Sequence, residues 1–130
     1  WQHILDVVEG VLKLITVKGQ KISDKSLIYN IGPKSNLNLK VISLIKRFIY
    51  KSSILKISYK TKKIEIKEKK FLKLSSKLII KDTKWLPKLQ LDESIKLTSD
   101  WFTKYFKNKD EILKFTENQI ESFLNKKDHI

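Results

Sequence analysis

The sequence predicts an α+β domain in which helices pack with a few short strands. Three observations lead there. Apolar residues recur at helical spacing in several separate stretches. Between these lie short runs, alternating or wholly apolar, that are bounded by turn residues as strands are. The composition is that of a folded chain: 130 residues, 41% hydrophobic and 10% aromatic, enough for one domain with a core of its own.

Residues 4–15 read as a helix. Val7, Val8, Val11, Leu12 and Ile15 keep helical spacing, and Asp6 and Glu9 sit near the start, where the helix dipole favours acids. Gly10 weakens such a helix and therefore points to a close contact. Residues 17–26 are polar and loop-like. "LIYNIG" (27–32), ended by Gly32-Pro33, reads as a short buried strand. Ser35, Asn36 and Asn38 then offer caps for a helix over about 38–50, whose apolar stripe is Val41, Leu44, Ile45, Phe48 and Ile49. Residues 54–68 alternate in two stretches, Leu55-Ile57-Tyr59 and Ile64-Ile66, and "FLKLSS" (71–76) reads as one more extended segment. A turn or two of helix is expected before Pro87, with Trp85 covering a core edge. Residues 91–108 form a strong helix. Asp92, Glu93 and Ser94 start it, and Ile95, Thr98, Trp101, Phe102, Tyr105 and Phe106 make its inward stripe. A last helix covers about 110–125, with Ile112, Thr116, Ile120, Phe123 and Leu124 inward. Residues 126–130 are expected to fray.

Charge is lopsided, with Lys+Arg 28 against Asp+Glu 14, a formal +14. A polyanion-binding or nucleic-acid-binding module is one reading of that excess. Against it, Arg47 is the only arginine, and arginine is the residue that forks onto phosphates and base edges. The lysines are spread along the chain, which fits a solvated surface better, so nucleic acid is not the expected partner. No apolar run is long enough for a membrane span, and no secretory leader pattern is present. With no cysteine there are no disulfides or thiolate metal sites, and a cytoplasmic setting is expected.

The residues offer no self-contained catalytic set. Gly10, Gly19 and Gly32 are too far apart to cradle a phosphate or a dinucleotide, and His3 and His129 stand at opposite ends, so no metal site is expected. Tyr59-x-x-x-Lys63 and Tyr105-x-x-x-Lys109 have the spacing of the dehydrogenase tyrosine–lysine pair. In a chain this rich in lysine the spacing is read as coincidence, because Tyr59 lies in an extended stretch and Tyr105 on an apolar helix stripe.

The order of several stretches is more informative. "WQHILDVVEGVLKL" resembles a Trp-Gln-His-Val-Leu segment and the helix after it. "YNIGP" resembles an Asn-Phe-Gly-Pro strand end. "EKKFLKLSSKLIIKDTKWLPKLQLDESIKLTSDWFTKYF" resembles a Glu-x-x-x-Leu-x-Leu-Asp-x-Ser-Lys-Ala segment, then Gly-Trp-x-Pro, then a Trp-Tyr helix. "FTENQIESF" is similar to a closing Thr-x-x-Gln-Ile stretch. From Trp1 to about Leu124 this order resembles the C-terminal part of the CDP-glucose 4,6-dehydratases, in the extended short-chain dehydrogenase/reductase family. Ser75, Lys69, Lys70 and Lys84 depart from the family pattern; Lys84 stands where glycine usually precedes the tryptophan.

The resemblance implies that residues 1–125 form the sugar-nucleotide-binding part of such a fold. The glycine-rich NAD-binding half, with the catalytic tyrosine, lysine and acid/base groups, is expected to lie outside this chain. It implies a CDP-glucose-like substrate, with Trp1 at its sugar-diphosphate site and Glu68 in the loop that closes near its ribose, and with Gln2 and Phe71 assigned as substrate-binding residues by adjacency; on charge grounds Lys67, Lys69 or Lys70 are candidates to neutralise a pyrophosphate. It implies NAD as cofactor of the complete enzyme, bound elsewhere, and a homodimer of that enzyme. No catalytic residue is expected in this chain. The alternatives are the polyanion-binding module and a gene relic without function.

Overall fold

The computed structural model describes residues 1–18, 28–33, 39–52, 58–60, 62 and 74–126. They build five α-helices: α1 (Ile4–Lys18), α2 (Val41–Lys51), α3 (Lys77–Thr83), α4 (Leu91–Lys107) and α5 (Ile112–Leu124), with a 3-10 turn, Lys109–Glu111, before the last. α1 packs on α3, and α4 lies between α2 and α5. All five helical expectations hold.

The α+β expectation does not. Helix makes up 69% of the described residues, and no strand occurs among them. The short strands expected of the C-terminal part of an extended short-chain dehydrogenase/reductase fold are therefore corrected at 28–32, 58–60 and 74–76; the remainder of 54–73 lies outside the described residues apart from Lys62. The reason is visible at Gly32. A strand needs a neighbour whose backbone takes its N–H and C=O groups. Residues 28–33 and 74–76 do come side by side, but the Gly32 N–H donates to the Ser76 side-chain hydroxyl at 2.8 Å. A serine side chain takes the place of a ladder, and Pro33 has no N–H to extend one. The Tyr29 hydroxyl donates to Asp82 at 2.7 Å and fastens the same segment to α3.

The core holds Ile79, Trp85, Leu89, Ile95 and Phe123. Trp85 is at its centre rather than its edge, fully buried. Gly10 explains how it gets there. A Cβ at that position would lie 3.2 Å from the indole and 3.3 Å from Ile31. The close contact expected of Gly10 is the seat of Trp85 under α1.

This seat turns α1 in an unexpected direction. His3, Asp6 and Gly10 are buried, whereas Val8, Val11, Leu12 and Ile15 are exposed. Asp6 Oδ1 accepts the Lys88 backbone N–H at 2.7 Å, and the Lys88 ammonium sits 2.9 Å from Glu9 and 5.1 Å above the Phe123 ring. The polar face of α1 thus binds residues 85–89, which lead into α4. Gln119 donates to the Leu97 carbonyl at 3.0 Å, Trp101 to Thr116 at 2.9 Å, and Lys126 pairs with Glu93, holding α5 along α4. Phe102 and Phe106 of the predicted inward stripe, and Ile120 and Leu124 of α5, are exposed instead.

Candidate functional site

His3 ends the segment before α1 by capping the helix: its Nδ1 accepts the Leu5 N–H at 3.3 Å. The cap fixes the imidazole as the neutral tautomer protonated on Nε2, and burial lowers its pKa. With α1 tied through Asp6 to the backbone just before α4, residues 1–3 are carried over the first turns of α4. There they enclose a pocket of about 380 Å³. Trp1, Gln2 and His3 form one side. Leu44, Ile45 and Phe48 from the apolar stripe of α2 form another. Leu91, Ser94, Ile95 and Thr98 of α4 make the floor, and Tyr59 stands at the rim. A second pocket, about 350 Å³, lies behind Gln2, His3 and Thr98 and reaches Trp101, Thr116 and Gln119.

α2 is held in place for this role from both ends of its contact with α4. Arg47 donates to Asp92 at 3.0 Å, and the Phe48 ring meets Phe102 edge-on with centroids 6.2 Å apart. The sole arginine is thereby engaged with a carboxylate at the surface.

The walls are mostly apolar, with few polar groups. The Ser94 hydroxyl donates to the Gln90 carbonyl at 3.0 Å and the Thr98 hydroxyl to the Ser94 carbonyl at 2.8 Å. Each keeps lone pairs free to accept. The Gln2 side-chain nitrogen is buried without a hydrogen-bond partner. A donor so placed is costly unless something accepts from it. Among the described residues the pocket is lined by no lysine, arginine, aspartate or glutamate.

Two of the four residues assigned to substrate, Trp1 and Gln2, therefore meet on one wall. Glu68 and Phe71 lie outside the described residues, as do Lys67, Lys69 and Lys70. Phe48, Tyr59, Ser94 and Thr98 escaped the sequence reading as site residues. The signal was there in part, since Phe48 and Thr98 stand on the apolar stripes of α2 and α4. Comparison with known proteins finds no matching family model, no matching curated protein and no matching solved structure.

Other chemistry can be tested residue by residue. Lys109 lies 4.9 Å over the ring face of Tyr105, which itself stacks on Trp101 with centroids 5.3 Å apart. The cation meets the ring, as in a packing contact. No three metal-ligating side chains converge among the described residues. Gly10 is filled by Trp85 and Gly32 by Ser76 and Leu74, so neither opens a backbone cradle for a pyrophosphate. No helix among them is long and apolar enough to cross a membrane.

Proposed function

We propose that this chain supplies the substrate-binding portion of an NAD-dependent nucleotide-sugar dehydratase of the CDP-glucose 4,6-dehydratase kind, working in the cytoplasm. The observation that carries the reading is the meeting of Trp1 and Gln2 on one pocket wall, since the resemblance assigns both to the substrate. A second observation agrees with the resemblance. Lys84, at the position where the family pattern has glycine, holds a φ of 56°, the left-handed region that glycine favours.

In the complete enzyme, C4 of the sugar is oxidised, water is eliminated across C5 and C6, and hydride returns to C6, giving CDP-4-keto-6-deoxyglucose. NAD and the base that serve these steps would belong to a half outside these residues. This chain's part is to bind and orient. Alone, it is expected to bind without turnover.

Isothermal titration of the 130-residue chain with CDP-glucose tests this. Saturable binding that Trp1→Ala weakens tenfold or more, and that changes little between low and moderate salt, supports the reading. Binding of any polyanion with a steep salt dependence and no preference for the nucleotide sugar would overturn it in favour of a lysine-driven module.

A further inference from the structure

We infer that the outward face of α1 is a contact surface for a second copy of this chain, laid antiparallel across it about a twofold axis at the level of Glu9 and Gly10. The inference stands apart from the proposed function: residues 4–15 line no part of the pocket that carries that reading, and the pairing needs no half from outside these residues.

Helix α1 turns its polar face inward, onto Trp85 and Lys88, and so leaves its apolar face over. Ile4, Val8, Val11 and Ile15 are 64%, 44%, 42% and 63% exposed, and Leu12 stands beside them. The four follow one another at intervals of four, three and four residues, the seam spacing of paired helices. The seam also reads the same from both ends: isoleucine, valine, valine, isoleucine. Laid antiparallel, Ile4 meets Ile15 of the partner subunit and Val8 meets Val11 of the partner subunit. Each contact then occurs twice, as a twofold interface requires. The two helix dipoles run in opposite directions, which a parallel pair does not allow.

Charge and area point to a copy rather than to another partner. Both acids of α1 turn inward: Asp6 is fully buried, and Glu9 pairs with Lys88. Lys13, the only cation between Ile4 and Val17, lies 3.9 Å from the same Glu9. The seam therefore offers an acidic peptide or an anionic lipid surface no uncommitted cation among these residues. It equally sets no like charges face to face, so the +14 of each copy acts only at long range, where salt screens it. The stripe with its half-buried flanks, Leu5 and Leu14, amounts to on the order of 500 Å² on each copy, the low end of specific interfaces. The result is a weak, concentration-dependent dimer that salt tightens.

Sedimentation equilibrium of the 130-residue chain, run up to about 1 mM at low and high salt, tests this. A monomer–dimer equilibrium is expected, tighter at high salt. Ile15→Lys, checked for unchanged helicity by circular dichroism, is expected to weaken the dimer tenfold or more. Leu113→Lys, at a site 71% exposed on α5, is expected to leave it as it is. The chain has no cysteine, so single replacements report the direction of pairing. An oxidised mixture of Ile4→Cys and Ile15→Cys should cross-link between the two variants. Neither should cross-link with itself, because its two copies lie about 16 Å apart along the helix axis. A chain that stays monomeric, association that continues beyond the dimer, or a dimer that salt dissolves overturns the inference. So does an Ile15→Lys variant that pairs as the parent does, or single cysteine variants that cross-link with themselves. Binding of a monomer to phosphatidylserine vesicles, lost in Ile15→Lys, would assign the face to a lipid surface and also overturn it.

Discussion

Asp6 is fully buried, and burial raises its pKa above the ordinary value near 3.8, while the Lys88 and Leu89 backbone N–H groups oppose the rise. Its work is to accept the Lys88 N–H where residues 85–89 pass under α1. Asp6→Ala leaves that N–H buried without an acceptor and is expected to cost about 1–3 kcal/mol in urea denaturation. Asp6→Asn keeps an acceptor oxygen, sheds the buried charge, and should cost clearly less; equal losses for the two would mean the tether is not a hydrogen bond. His3 gives the chain a pH dependence of opposite sign to that of Asp6. Its pKa is lowered by burial, so the folded state resists the proton that the unfolded chain accepts near 6.5. Stability is therefore full above that value and declines as pH falls from it towards the lowered one. Asp6, with its raised value, adds stability only as pH falls through that value towards 3.8. His3→Asn retains a capping acceptor for the Leu5 N–H. It is expected to flatten the decline that begins near 6.5; a decline of unchanged slope would assign it to another group. Asp6 shows why residue roles were only half legible. In sequence it is an acid near a helix start, where the dipole alone explains it, and nothing local names the distant backbone it holds. Gly10 was easier, because glycine inside a helix already carries a cost that implies a reason, although the identity of Trp85 as that reason needed the fold.

Among the described residues the expected helices form and the expected strands do not, and the difference lies in where each finds its hydrogen bonds. α4 carries its own start signal: Glu93 accepts the Gln90 N–H at 2.9 Å, and Asp92 and Glu93 occupy the first turn. Its stripe and cap sit within its own residues, so the sequence contains the whole argument. An extended run such as 28–33 becomes a strand only if another segment offers a ladder. Here Ser76 offers a hydroxyl to Gly32 instead, a choice that alternation in the sequence does not encode. The end of α3 yields a sharper prediction. The residue that caps its C-terminus, Lys84, donates its N–H to the Ile80 carbonyl at 2.9 Å while holding a φ of 56°. For a residue with a Cβ this left-handed conformation costs about 1–2 kcal/mol. Lys84→Gly relieves that cost, less the entropy that glycine adds to the unfolded chain. It is expected to raise the urea midpoint, by about 0.5–1 kcal/mol in stability. A loss on this substitution would show that α3 ends in another conformation.

Over the whole molecule, the burial of α1 inverts its own hydropathy. The helix sets Asp6 and Gly10, with the capping His3 just before them, against the core, while Leu12 and Ile15 are 57% and 63% exposed. Periodicity showed that residues 4–15 form a helix, because spacing depends only on the helix's own geometry. Spacing alone does not say which face turns inward, and here two tertiary contacts outweigh the apolar stripe: the fully buried indole of Trp85 against Gly10, and the Glu9–Lys88 pair beside Asp6. The two orientations make opposite predictions for the same substitutions. If Trp85 and Asp6 fix the helix as described, Leu12→Lys and Ile15→Lys change stability by no more than about 0.5 kcal/mol, as surface substitutions do. They should also raise solubility by breaking an exposed apolar patch. Trp85→Ala, on the opposite side of α1, should cost about 3–5 kcal/mol, because it empties the largest buried side chain of the core. Urea denaturation of the three variants separates the cases. Large losses at Leu12 and Ile15 with a small one at Trp85 would mean that α1 is rotated, and the pocket at its N-terminal end would then lose the placement of Trp1 and Gln2 on which the proposed function rests.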